Sequence, residues 1–163
     1  MLVLAAVAGR QALPSGGESG GDPAGGGVRT GRVLRVVDGD TILVALDGRP
    51  ERVRYIGMDT PETVKPRTPV QCFGKRASAE NTRLVAGREV RLVADAEARD
   101  RYGRLLAYVY RRADGLFVNA ELVRRGYATP LSIPPNVRFA ERFRDLARSA
   151  RSAGRGLWSA CDR

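Results

Sequence analysis

The chain has 163 residues, no histidine, two cysteines and a formal net charge of +10. Without imidazole, every mechanism that uses histidine as base, acid or metal ligand is excluded, and two cysteines are too few for a thiolate zinc cluster. The length fits one domain with a real core, and the excess of arginine and lysine suggests a polyanionic partner, either nucleic acid or an anionic membrane surface.

Residues 1–8, MLVLAAVA, are apolar but too short to cross a bilayer. They read either as the core of a secretory signal without its positive leader or as a tail. Residues 9–27 are rich in glycine, serine and proline and read as a flexible linker. The folded domain is therefore expected over 28–163. Residues 1–27 set Arg10 against Glu18 and Asp22, a net −1, so the remainder carries +11.

Residues 32–37 form a β-rich run that leads into the turn Asp38-Gly39-Asp40-Thr41. Two further strands are expected over 41–46 and 52–56, joined through Asp47-Gly48-Arg49-Pro50. Arg52 and Arg54 alternate with Val53 and Tyr55, so the arginines share one face and the apolar residues the other. Residues 63–71 read as a proline-containing surface loop. A helix follows over 74–86, with Ala77, Leu84 and Val85 on one side and Gly87 as its stop.

Residues 88–94 form a fourth strand, 95–104 a charged loop, and 105–110 a fifth strand. A short helix is expected over 120–125 with Asn119 as N-cap, then an irregular stretch over 129–135. In the last helix, 137–153, Phe139, Phe143, Leu146, Ala147 and Ala150 follow the helical period and arginines fill the other face. Trp158 is expected on the core. Three strands, a helix, two strands and then helices fit an α+β, mainly β fold: a five-stranded OB-fold barrel with three packed helices.

The chemistry concentrates in residues 36–62. If the second and third strands pair, the open end of the hairpin carries Asp40 beside Asp59, with Glu62 just beyond and Arg54 on the same strand pair. Carboxylate oxygens suit a hard cation such as Ca²⁺ or Mg²⁺, and arginine suits a phosphate. Read singly, the same residues have plainer roles. Asp38 and Asp40 fit an Asx turn, Asp59 and Glu62 a proline turn, Arg54 and Arg104 exposed strand arginines, and Tyr102 a rim aromatic. Cys72 and Cys161, the two cysteines of a chain with an export-like start, are expected to form a disulfide.

From about Gly31 to Trp158 the chain resembles the staphylococcal nuclease (thermonuclease) family. The resemblance rests on VVDGDT (36–41), VRYIGMDTPE (53–62), DRYGRLLAYVY (100–110), NAELVRRGYA (119–128) and GLW (156–158), in that order and spacing. It implies an OB-fold and calcium-dependent endonucleolytic hydrolysis of DNA or RNA by water, leaving 3′-phosphate ends. It makes Asp40 and Asp59 carboxylate ligands of Ca²⁺, with the Thr60 carbonyl beside them and Asp38 behind. Glu62 would position or deprotonate the attacking water, and Arg54 and Arg104 would grip the phosphate. Arg101 and Tyr102 match positions that contact a bound nucleotide. One stretch departs from the family: residues 128–136, ATPLSIPPN, lack the two tyrosines that contact the nucleotide. The apolar start points to export, with a cytoplasmic location as the alternative, and the chain is expected to act as a monomer. A second reading is a non-catalytic OB-fold module that binds nucleic acid or protein. It would be expected to have lost some of these acids and arginines.

Overall fold

The computed structural model describes residues 27–63, 66–67 and 69–161. The apolar start and linker expected over 1–27 lie, apart from Gly27, outside the described residues. Five strands close into a barrel: β1 (Val28–Val36), β2 (Thr41–Leu46), β3 (Arg49–Tyr55), β5 (Glu89–Val93) and β6 (Leu105–Arg111), in the order β1-β2-β3-β6-β5. β3 and β6 pair in parallel and the other neighbours are antiparallel. This is the OB-fold arrangement. Closure leaves no open edge, and the inward-facing residues Val33, Ile42, Val44, Val53, Tyr55, Val90, Leu92 and Val109 are all buried.

β2 and β3 meet through the two-residue turn Asp47-Gly48, tighter than the four-residue turn the sequence suggests. Both residues take positive φ, 51° and 76°, the geometry that matches the twist of a hairpin. Pro50 falls inside β3 but opposite Ala45, and β6 pairs β3 only over Val53, Arg54 and Tyr55. Its missing N–H therefore costs no ladder bond.

Among the described residues four helices pack outside the barrel: α1 (Gly74–Val85), α2 (Val118–Arg124), α3 (Ala140–Ser152) and the short α4 (Leu157–Ala160), one more than expected. Among the described residues no helix is long and apolar enough to cross a membrane. α1 buries Ala77, Leu84 and Val85, and α3 buries Phe143, Ala147 and Ala150. Phe139 and Trp158 pack against the same core.

Three local expectations are corrected. β1 begins at Val28 rather than Arg32, because Val28 to Arg32 pair with β5. α2 begins at Val118 after Phe117, and Asn119 is not its cap. The Asn119 side chain is fully buried, accepts from Val109 N at 2.9 Å and donates to Ile56 O at 2.9 Å, so it cross-links β6 to the end of β3. The third correction is that the stretch 129–135 contains a strand: β7 (Thr129–Pro130) pairs antiparallel with β4 (Met58–Asp59).

Candidate active site

The turn after β1 is held from several sides. Val37 N and Asp38 N both donate to Thr41 O, and Asp40 N donates to Asp38 Oδ1 at 3.1 Å, an Asx turn. From the core, the Tyr55 hydroxyl donates to Asn81 Oδ1 at 2.9 Å, and Asn81 Nδ2 donates to Asp38 O at 3.0 Å. Thus α1 and β3 together fix the turn. Gly39 is required where it stands: a Cβ there would lie 2.6 Å from Thr60 Oγ1. That close approach brings residues 38–40 against the segment carrying Asp59 and Thr60.

Asp40 is only 6 % exposed. Its Oδ2 accepts from both Thr60 N and Thr60 Oγ1 at 3.0 Å, and its Oδ1 accepts from Thr41 Oγ1 at 3.0 Å. The Arg54 guanidinium bridges the two aspartates, pairing with Asp40 through Nη1 and with Asp59 Oδ1 through Nη2 at 2.6 Å. Asp59 is aimed by the β4–β7 pairing, with Met58 buried beneath it. Burial, joined by the Asp40 charge, raises the Asp38 carboxyl to about 6. Burial also raises Asp59, against the pull of Arg54, with Asp40 again adding to the rise. A pocket that crowds negative charge in this way is one in which a cation is stabilised.

Glu62 follows on the same rim. Its backbone is clasped by Gln71: Glu62 N donates to Gln71 Oε1 at 2.8 Å, and Gln71 N donates to Glu62 O at 2.9 Å. Its carboxylate Oε1 accepts from Thr63 N at 2.9 Å. Next to Gln71, Cys72 is joined to Cys161 by a disulfide, which ties the start of α1 to the end of α4. Gly74 lets α1 pack tightly against this segment, since a Cβ there would lie 2.9 Å from Glu62 O.

Across the cleft, Arg104 is braced by Asp100, with Arg104 Nε donating to Asp100 Oδ2 at 2.7 Å and Arg104 N to Asp100 Oδ1 at 3.0 Å. Its guanidinium lies 5.5 Å from the Tyr102 ring centre. Tyr102 is 68 % exposed and accepts from Arg101 Nη2 at 2.7 Å.

Asp38, Asp40, Asp59, Thr60, Glu62, Arg54, Tyr102 and Arg104 therefore line one cleft of about 660 Å³. Arg101 lies instead on an adjoining cleft of about 510 Å³, where Leu131 and Ile133 present apolar surface. Four residues not expected as site residues also line the first cleft: Thr41, Arg52, Pro61 and Gln71. The alternation of β3 already put Arg52 on the face of Arg54. No periodicity marks Gln71, whose contact is made across a loop.

The donor atoms around Asp40 and Asp59 are oxygens, which fits a hard cation rather than a thiophilic one. Among the described residues no group of three or more histidine, cysteine, aspartate or glutamate side chains is gathered to hold a metal ion. A bound ion would take two carboxylates from this chain and draw further oxygens from the Thr60 carbonyl and water.

Comparison with known proteins gives the family. The family model described as "Staphylococcal nuclease homologue" matches residues 52–160. The chain is 43% identical over 131 residues to a thermonuclease of Staphylococcus hyicus, covering 80% of this chain and 76% of that one. It is 44% identical over 126 residues to a thermonuclease of Staphylococcus intermedius, covering 77% and 74%. It is 42% identical over 127 residues to endonuclease YncB of Bacillus subtilis, covering 77% and 59%. With a matching barrel and matches of this extent, the chain belongs to the staphylococcal nuclease family.

Proposed function

We propose that this nuclease, a phosphodiester hydrolase acting on nucleic acid, depends on Ca²⁺, cuts DNA or RNA internally and leaves 3′-phosphate ends. The observation that carries the reading is the Arg54 bridge between Asp40 and Asp59, in one cleft with Glu62 and Arg104. Asp40, Asp59 and the Thr60 carbonyl would hold the ion. When bound, calcium supplies positive charge beside the phosphate and lowers the pKa of water near it.

The remaining chemistry belongs to side chains of the chain. Guanidinium carries five N–H donors, so holding two carboxylates leaves Arg54 with donors for phosphate oxygens. Arg104, braced by Asp100, meets the phosphate from the opposite rim. Both place positive charge where negative charge builds as the nucleophile attacks. Glu62 takes the proton of the attacking water as the new P–O bond forms. The P–O5′ bond breaks, the 5′ oxygen takes up a proton, and the phosphate stays on the 3′ end.

With no aromatic in residues 128–136, base preference is weak and affinity comes mainly from phosphate contacts, so it falls steeply with salt. Single-stranded or breathing regions are cut faster, because the backbone must bend into the cleft. The protein acts as a monomer and outside the cytoplasm; the second part of this reading is supported by the Cys72–Cys161 bridge, since disulfides persist in oxidising compartments. The test is heat-denatured DNA incubated with Ca²⁺, with Mg²⁺ or with excess chelator, followed by end-group analysis. Rapid cleavage with Ca²⁺, slower cleavage with Mg²⁺, which demands a tighter octahedral shell, and 3′-phosphate products are expected. Cleavage that persists in chelator would overturn the calcium reading.

A further inference from the structure

The outer face of β1, β2 and β3 continues the cleft as a surface of positive charge. By register, Arg35 lies opposite Leu43, and Leu43 lies opposite Arg52, so the three form one row across the strands. The next row along β3 holds Thr41 opposite Arg54. Arg52 thus stands two residues from Arg54 on the same face, roughly 6–7 Å along the strand, and Arg35 stands two strands further, roughly 10 Å away. Arg52 lines the cleft itself, and the row leads from it over the outside of the barrel.

The other arginines of this face are committed. Arg54 holds Asp40 and Asp59, and Arg32 donates to Gly87 O. Nearby, Arg29 pairs with Asp47 and Arg99 with Glu51. Among the described residues the Arg35 and Arg52 side chains enter no ion pair and no hydrogen bond, and both are exposed. A one-residue irregularity in β1 between Val33 and Arg35 leaves Leu34 53 % exposed beside the row. Two uncommitted guanidinium groups, continuous with a phosphate-binding cleft and separated by aliphatic surface, are complementary to a chain of phosphates joined by less polar sugars. The faces of strands 2 and 3 are where OB-folds take oligonucleotides, and a positive groove that follows the backbone is how single strands are held without sequence preference.

We propose that Arg35 and Arg52 form a subsite for phosphates that flank the cleaved one, so that a single-stranded polynucleotide leaves the cleft along the outer face of β3, β2 and β1. The inference rests on the reading of the cleft as the place of phosphodiester cleavage. It gives the enzyme a reason to prefer polynucleotides over dinucleotides, since a dinucleotide held in the cleft does not extend to Arg35.

The test measures binding with cleavage suppressed. Fluorescence anisotropy of a labelled oligothymidylate of about ten nucleotides, within the usual single-strand footprint, is followed in excess chelator between about 50 and 200 mM salt. Each phosphate contact to a single strand contributes about 0.7 to the slope of log affinity against log salt. The R35Q/R52Q variant should therefore lose about 1.4 from that slope. An R144Q/R148Q variant, which removes the same charge from α3, should lose less than half as much. An unchanged slope in R35Q/R52Q, or an equal loss in both variants, overturns the subsite. Failure here and failure of the nuclease reading are separable. Wild-type protein that cuts DNA with Ca²⁺ while R35Q/R52Q keeps its slope refutes the subsite alone. Protein that binds along the row but cuts nothing refutes the catalytic reading alone.

Discussion

Removing the Cys72–Cys161 bridge should unfold this protein far more readily, and the size of the effect follows from where the cysteines lie. They are 89 residues apart in sequence, so the bridge closes a loop that contains α1, β5, β6 and all the later helices. In the chain-entropy account, a loop of that length restricts the unfolded chain by about 4–5 kcal/mol at 25 °C. Against the roughly 5–15 kcal/mol of a whole domain, that is a large share. With a urea m-value of about 2 kcal/mol per molar, the full entropic effect moves the midpoint down by about 2 M. Cys72→Ser/Cys161→Ser is compared with the oxidised protein by urea titration. The reporter is Trp158, the chain's single tryptophan, which is packed against the core three residues before Cys161. Superimposable unfolding curves would instead mean that the two ends of this loop stay together without the bond.

Three further outcomes follow from the same geometry. Gln71→Met keeps the size of the side chain but removes the acceptor of the Glu62 N–H; kcat should fall about tenfold to a hundredfold with KM little changed, and a drop in affinity with kcat intact would show that Gln71 acts elsewhere. Arg104→Lys keeps the charge but loses the planar fork and its Nε bond to Asp100; the cleavage rate should fall about a hundredfold or more, measured in single turnovers, whereas a rate within a factor of about two would remove Arg104 from the chemistry. Glu80 and Glu121 are held below the usual carboxylate range by hydrogen bonds from Arg83 and from Arg124 and Arg125 respectively. Their contribution is complete above the unfolded pKa of about 4.3 and is lost as pH falls through the lower folded values. Urea midpoints between about pH 5 and 3 should therefore drop less steeply in Glu80→Gln/Glu121→Gln than in the parent, and parallel curves would contradict the assignment.

The barrel was legible because its strands face a core on one side and water on the other, and that asymmetry is written as alternation. Arg52-Val53-Arg54-Tyr55 shows it plainly, with Val53 and Tyr55 buried and Arg52 exposed. Features made by partners distant in sequence were not legible. Val28 to Gly31 carry little strand signal of their own and are strand because β5 pairs with them. Asn119 has the chemistry of a cap, yet the cross-link it makes between β6 and the end of β3 requires it inside α2. In the cleft, the acids and arginines could be named from their residue types. The parts that hold them could not: the β4–β7 pair that aims Asp59, the Asn81 bond to Asp38 O, and the Gln71 clasp on Glu62 are tertiary contacts with no local signature.

In the proposed mechanism Glu62 takes the proton of an attacking water, in a cleft whose charge would be balanced by a divalent ion and two arginines. Glu62→Gln isolates this step, because the amide keeps the shape and can still accept the Thr63 N–H bond while losing the base. With denatured DNA at saturating Ca²⁺, the rate should fall by at least about a hundredfold, and further calcium should not restore it. Undiminished cleavage by Glu62→Gln would mean that Glu62 is not the base.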